Sequence, residues 1–157
     1  EDELILTTKK GQSIRFAEKA VRSMGRSASG IRAMLLKKGD EIVQGDVISP
    51  KGAKQGSSLY LFVLTENGYG KRTDVKEYRS QSRGGSGIKT VNVTPKTGNL
   101  VHAKVLTGGE EDLIVISSKG QVIRTSVDAI PKLSRATQGV RIMKLDAGDK
   151  VVSAACL

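Results

Sequence analysis

The sequence predicts an all-β protein made of three repeated blades of four strands each. Two observations carry this reading: a threefold internal repeat, and short apolar runs that end in glycine turns. Three stretches superpose: Thr8-Lys9-Lys10-Gly11-Gln12-Ser13-Ile14-Arg15, Thr65-Glu66-Asn67-Gly68-Tyr69-Gly70-Lys71-Arg72 and Ser117-Ser118-Lys119-Gly120-Gln121-Val122-Ile123-Arg124. From the final arginine of each, a second arginine follows 11 residues later (Arg26, Arg83, Arg135) and a glycine 15 residues later (Gly30, Gly87, Gly139). An apolar–basic pair comes next: Ile31-Arg32, Ile88-Lys89 and Val140-Arg141. Each unit closes on two apolar pairs, Ile42-Val43 with Val47-Ile48, Leu100-Val101 with Val105-Leu106, and Val151-Val152 with Cys156-Leu157. The turn glycines Gly11, Gly68 and Gly120 set periods of 57 and 52 residues, with units at about 1–57, 58–109 and 110–157.

Within a unit the strands follow in order. Leu4-Ile5-Leu6, Leu61-Phe62-Val63-Leu64 and Leu113-Ile114-Val115-Ile116 are runs of strand formers. Each leads to its glycine turn, and Asn67-Gly68 is the strongest hairpin signal of the three. Ile14-Arg15-Phe16 and its copies supply a second strand with alternating inward and outward positions. The stretch after Gly30, Gly87 or Gly139 supplies a third, and the closing apolar pairs a fourth. No 3.6-residue periodicity is sustained, so helix is confined to a short turn within Glu18 to Met24. Four strands in roughly 50 residues is the size of a propeller-type blade. Three such blades are too few to close a ring, and the first residue is Glu, so the sequence reads as a piece of a longer chain.

Composition narrows the function. Among 157 residues there is no Trp, with two Phe and three Tyr, which argues against stacking single-stranded bases on aromatic platforms. One cysteine, Cys156, excludes an internal disulfide, and one histidine, His102, leaves no histidine cluster for a metal. No apolar run approaches the length of a membrane-spanning helix. The formal charge is +10, which favours a polyanionic partner. It is unevenly spread: residues 1–57 hold 11 basic and 7 acidic groups, 58–109 hold 8 and 3, and 110–157 hold 7 and 6.

The basic residues recur at equivalent places. Arg15, Arg72 (with Lys71 beside it) and Arg124 fall on second strands, Arg26, Arg83 and Arg135 in loops, and Arg32, Lys89 and Arg141 on third strands. On blade edges they would form a stripe able to follow a duplex by its phosphates without reading bases. The loops share the form Arg-x-x-x-Gly with mostly small residues between, which would let backbone N–H groups and a forked guanidinium meet one anion. The plain alternatives are solvated blade surface for the charges and ordinary glycine turns for the loops.

At this point the residues resemble the C-terminal domain of bacterial DNA gyrase A. The likeness lies in Arg22-Ser23-Met24-Gly25-Arg26-Ser27-Ala28-Ser29-Gly30-Ile31-Arg32, in Glu66-Asn67-Gly68-Tyr69-Gly70-Lys71-Arg72-Thr73 with Glu77-Tyr78-Arg79, and in Thr137-Gln138-Gly139-Val140-Arg141. It implies a β-pinwheel, a propeller-like disc with a different strand exchange between neighbours, of which these would be the last three of six blades. It also implies that double-stranded DNA wraps the basic rim in support of ATP-driven negative supercoiling. The partners implied are the rest of gyrase A and, through it, gyrase B in a heterotetramer, with ATP and Mg used in other domains. A bacterial, cytoplasmic, nucleoid-associated setting follows from the same likeness. The family's hallmark heptapeptide, Gln-Arg-Arg-Gly-Gly-Lys-Gly, is met only partly by Gln81-Ser82-Arg83-Gly84-Gly85-Ser86-Gly87, which reads as the equivalent loop of a later blade.

No catalytic set emerges. Gly68-Tyr69-Gly70-Lys71 has Arg72 where a phosphate loop needs Ser or Thr, and no helix follows. Glu110-Glu111-Asp112 reads as a solvated loop between units, His102 as a surface or packed residue, and Cys156 as a core position. Two other readings stand beside the gyrase one: the equivalent domain of topoisomerase IV, and a propeller-like scaffold for protein interaction.

Overall fold

In the computed structural model, which describes residues 1–157, every regular element is a strand or a single 3₁₀ turn. The strands are β1 (Glu3–Thr8), β2 (Gln12–Ala17), β3 (Ile42–Ile48), β4 (Tyr60–Thr65), β5 (Tyr69–Asp74), β6 (Ile88–Lys89), β7 (Leu100–Leu106), β8 (Asp112–Ser117), β9 (Val122–Ser126), β10 (Val140–Arg141) and β11 (Val151–Cys156). The 3₁₀ turns Glu18–Ala20, Val75–Glu77 and Val127–Ala129 follow the second strand of each unit. No helix is long and apolar enough to cross a membrane.

Three sheets form, in the orders β3-β1-β2-β6, β10-β5-β4-β7 and β11-β8-β9. Their hairpins turn at Gly11, Gly68 and Gly120, all near φ +83°, where a side chain would be strained. The third strand of a unit does not join its own sheet. β6, from the second unit, pairs antiparallel with β2 of the first, and β10, from the third, pairs with β5 of the second. The exchange between neighbours that the resemblance implies is seen here, and the reading of four strands from each unit's own residues is corrected; within residues 1–157 the last sheet has three strands. Ile31-Arg32, expected as a third strand, lies outside any strand.

This exchange locks neighbours together. β4 sends Leu61 and Val63 into one core with Ile5, Ile48, Val75 and Tyr78, and sends Phe62 and Leu64 into another with Leu113, Val115, Val127 and Ile130. Fully burying each such side chain contributes roughly 1.5–3 kcal/mol. A smaller cluster, Ile14, Phe16 and Met34, covers the far face of the first sheet. The closing strands β3, β7 and β11 pack in series. That places them on the inner side of the array and β6 and β10 at the opposite, outer edge of their sheets. Cys156 packs against the second core, and burial pushes its thiol up to about 11. His102 tilts over Phe62 within a ring-centroid distance of 6.0 Å.

Candidate nucleic-acid interface

The second-strand cations turn inward or forward. Lys71 is wholly buried, and its ammonium donates to Ser134 O and Arg135 O at 2.7 Å and to Thr137 O at 2.9 Å. Burial pushes this group down to about 8. Arg72 is 6% exposed; it donates through Nε to Ile130 O at 2.9 Å and through Nη2 to Asp128 O at 3.1 Å. Its guanidinium also lies 5.7 Å from the centre of the Tyr60 ring. Arg15 does the same one junction earlier, donating to Val75 O at 3.0 Å and Tyr78 O at 2.9 Å while paired with Glu3. Each arginine thus ties its blade to the 3₁₀ turn of the next. Arg124 is exposed and pairs with Asp112 of its own hairpin.

The expected alternation of β5 is corrected by this arrangement. Residues 69–73 are all buried, because the sheet is covered on both faces and β10 closes its edge. Lys71 and Arg72 therefore present no free donor at the surface, and Arg15 only a half-buried one.

The loop arginines point the other way along the chain. Arg83 donates to Ala20 O at 3.0 Å and also to Arg32 O, and Arg135 donates to Lys89 O at 2.8 Å. The box-like loop docks on the first unit through Gly84 N to Ala33 O and Leu35 N to Gly85 O, both 2.9 Å, with Gln81 N on Arg15 O at 2.7 Å. Ser82 and Ser86 are exposed. Gly87 is needed where it stands, since a Cβ there would lie 2.5 Å from Ser13 O. This loop is an inter-blade clasp. Arg26, its counterpart in the first unit, is exposed.

The third-strand cations remain. Arg32, Lys89 and Arg141 are all exposed. Lys89 sits opposite Gln12 and Arg141 opposite Tyr69 in register, on the outermost strand of each four-stranded sheet. Their carbonyls accept from the clasp arginines of the next unit where one exists, so the backbone under Arg32 and Lys89 is fixed while the side chains face solvent. Sequence reading passed over Tyr69, Lys96 and Lys144, which surround a basic cleft beside Arg141. Its only signal was two lysines set at the ends of adjacent closing loops.

The site is thus an edge-on series of strand-exchanged β-blades with cations along the outer strands, a repeat protein of the propeller-like class. The family model for the "DNA gyrase C-terminal domain, beta-propeller" matches residues 2–49, 59–107 and 111–157, and the chain belongs to that family. DNA gyrase A of Staphylococcus epidermidis is 44% identical over 154 residues, covering 98% of this chain and 17% of that protein. DNA gyrase A of Staphylococcus aureus is 42% identical over 153 residues, with 98% and 16% covered. The chain therefore spans about a sixth of the length of these relatives. A solved DNA gyrase A C-terminal domain superposes with TM-score 0.86 at 25% identity, covering 99% of this chain and 50% of that one. The C-terminal domain of DNA topoisomerase IV gives 0.87 at 23%, covering 99% and 46%, a likeness of fold.

Proposed function

We propose that this chain binds double-stranded DNA along its outer strands, without base preference, and bends it around the blades. One observation carries the reading: of the three recurring sets of basic residues, only the third-strand set (Arg32, Lys89, Arg141) is exposed in every unit. Cations repeated at blade spacing on one edge suit a polyanion of regular charge, whose binding releases counterions. Arg26 and Arg124 add exposed charge at the two ends, and Arg83 and Arg135 contribute what their clasp bonds leave free. Bending a duplex over such an edge costs a few kcal/mol, which several phosphate contacts offset.

In this reading the chain is the non-catalytic wrapping part of a gyrase A protein, and strand cleavage, ATP and Mg chemistry belong to other domains and to gyrase B. The identity to gyrase A proteins favours this over the topoisomerase IV equivalent. The test is duplex affinity across a salt series together with the linking number of nicked plasmid religated on the protein. Binding with a log–log slope of about −0.9 per phosphate contact, and a linking-number shift, is expected. Affinity indifferent to salt would overturn the proposal in favour of a protein-interaction scaffold.

A further inference from the structure

At the junction of the middle and last sheets a cleft of about 550 Å³ opens beside Tyr69. Two loops from different units meet there because both are fastened to the β4–β5 turn. Asn67 Nδ2 donates to Lys96 O at 3.0 Å and holds the loop before β7 on one side. The amides of Ile142 and Met143 donate to Gly68 O at 2.7 and 3.2 Å and hold the segment after β10 on the other. Gly68 permits this approach, since a Cβ at that position would lie 2.4 Å from Met143 O.

The consequence is electrostatic. Lys96 Nζ lies 5.5 Å, and the Arg141 guanidinium 5.7 Å, from the centre of the Tyr69 ring. Arg141 also donates to the Tyr69 hydroxyl at 3.1 Å, leaving that hydroxyl its own proton to give. Lys144 lines the same cleft without an ion pair or hydrogen bond, and Lys150 is held by Asn67 Oδ1 at 2.5 Å and paired with Glu66 at 4.0 Å, so it is not free for a ligand. The other three cations face two carboxylates. Asp146 accepts from Gln121 at 3.1 Å, and Asp149 is 4% exposed and bonded to backbone amides. Two cations drawn to one ring repel each other until an anion lies between them, and a walled cleft concentrates that field. The arrangement belongs to this junction alone. At the first, Gln12 occupies the place of Tyr69 and Asn92 that of Lys144.

We propose that this cleft seats a backbone phosphate of the bound duplex, gripped by Lys96, Arg141 and Lys144 with the Tyr69 hydroxyl beneath. The proposal rests on the DNA-binding reading and makes one junction a fixed point on an otherwise uniform path. The test compares the whole chain with K96A/K144A, with Y69F, and with K51A/K54A, which removes the same charge from the linker after β3. Duplex affinity is measured across a salt series, and thermal melts verify that each variant is folded. K96A/K144A is expected to weaken binding about tenfold and to flatten the log–log salt slope by about 0.9, one phosphate contact. Y69F loses less and keeps the slope, while K51A/K54A keeps the slope and nearly all affinity. Equal behaviour of the two double variants would overturn the cleft and leave the DNA reading standing. Loss of salt dependence in the unaltered chain would overturn both.

Discussion

The middle and last sheets are built from the same repeat and come out differently. In the middle sheet β4 buries Leu61 to Thr65 without a break, and β5 buries Tyr69 to Thr73. In the last, β9 alternates half-buried and exposed, Val122 is 61% exposed and Ile116 38%. What separates them is the neighbour on the far side, not local sequence propensity. The middle sheet receives a strand, an arginine and a loop from adjoining units; within residues 1–157 the last sheet holds no strand from another unit and receives the arginine, Arg72. The unit of stability is therefore the junction between blades, as in other repeat arrays where each repeat leans on the next. That also accounts for recurring cations with no surface to offer: they are junction parts.

The largest expected effect comes from the two equivalent arginines. Arg72→Met strips the donors from Asp128 O and Ile130 O inside the junction and is expected to cost about 3 kcal/mol. Arg124→Met removes an exposed pair with Asp112 and is expected to leave stability almost unchanged. Urea unfolding midpoints at constant slope measure both. Equal losses would break the comparison, because the arginine would then be serving its own hairpin.

Equivalent glycines sharpen it at a smaller scale. Gly68 and Gly120 share φ +83°, but a Cβ at Gly68 meets Met143 O at 2.4 Å and one at Gly120 meets nothing within 4 Å. Gly120→Ala should cost about 1 kcal/mol of backbone strain. Gly68→Ala should cost that plus roughly 1–3 kcal/mol for displacing the next unit's segment. The difference between the two melting shifts reads the junction contact directly, and no difference would mean that the segment yields freely.

Much of this was legible in the residues. The hairpins were, because Asn67-Gly68 and its copies follow apolar runs, and so was the short turn of helix beginning at Glu18. The sheet that a third strand joins was not, since Ile88-Lys89 carries the same two-residue pattern whether it docks on β5 or on β2. The roles of the arginines stayed ambiguous for a related reason: repetition serves a rim and a junction equally well. A partial sign was present for two of them: Glu3 and Asp112 each stand 12 residues before Arg15 and Arg124, diagonally across the hairpin. It does not separate the sets, because Arg72 has Tyr60 at that spacing and the exposed Lys89 has Glu77. The burial of Lys71 left no local trace, because it depends on three carbonyls that lie 63 to 66 residues away.

The smallest effect separates the two sheets by acid. In the last sheet the closing loop is held by Asp149, whose Oδ1 accepts from Ser118 Oγ at 2.7 Å and from the amides of Lys119 and Lys150 at 3.0 and 2.9 Å. Burial works to raise this carboxyl, and the hydrogen bonds from hydroxyls and amides outweigh it, holding the group down at about 2. In the middle sheet Thr97 Oγ1 accepts from Thr94 N at 3.0 Å in the loop before β7, a bond that does not titrate. The loop's carboxylate contact is at its far end, where Glu66 Oε1 accepts from Asn99 N at 3.0 Å. A carboxyl held below its ordinary value adds stability above that value, and the contribution is lost as pH falls toward about 2. Lowering the pH through that window should therefore move the Lys119 and Lys150 amide resonances with a common midpoint near 2 and leave Thr94 in place. Asp149→Asn should remove the midpoint and flatten the acid limb of the stability curve. If Thr94 moved together with Lys119, the two sheets would be loosening as one body, and stability would belong to the whole array and not to its junctions.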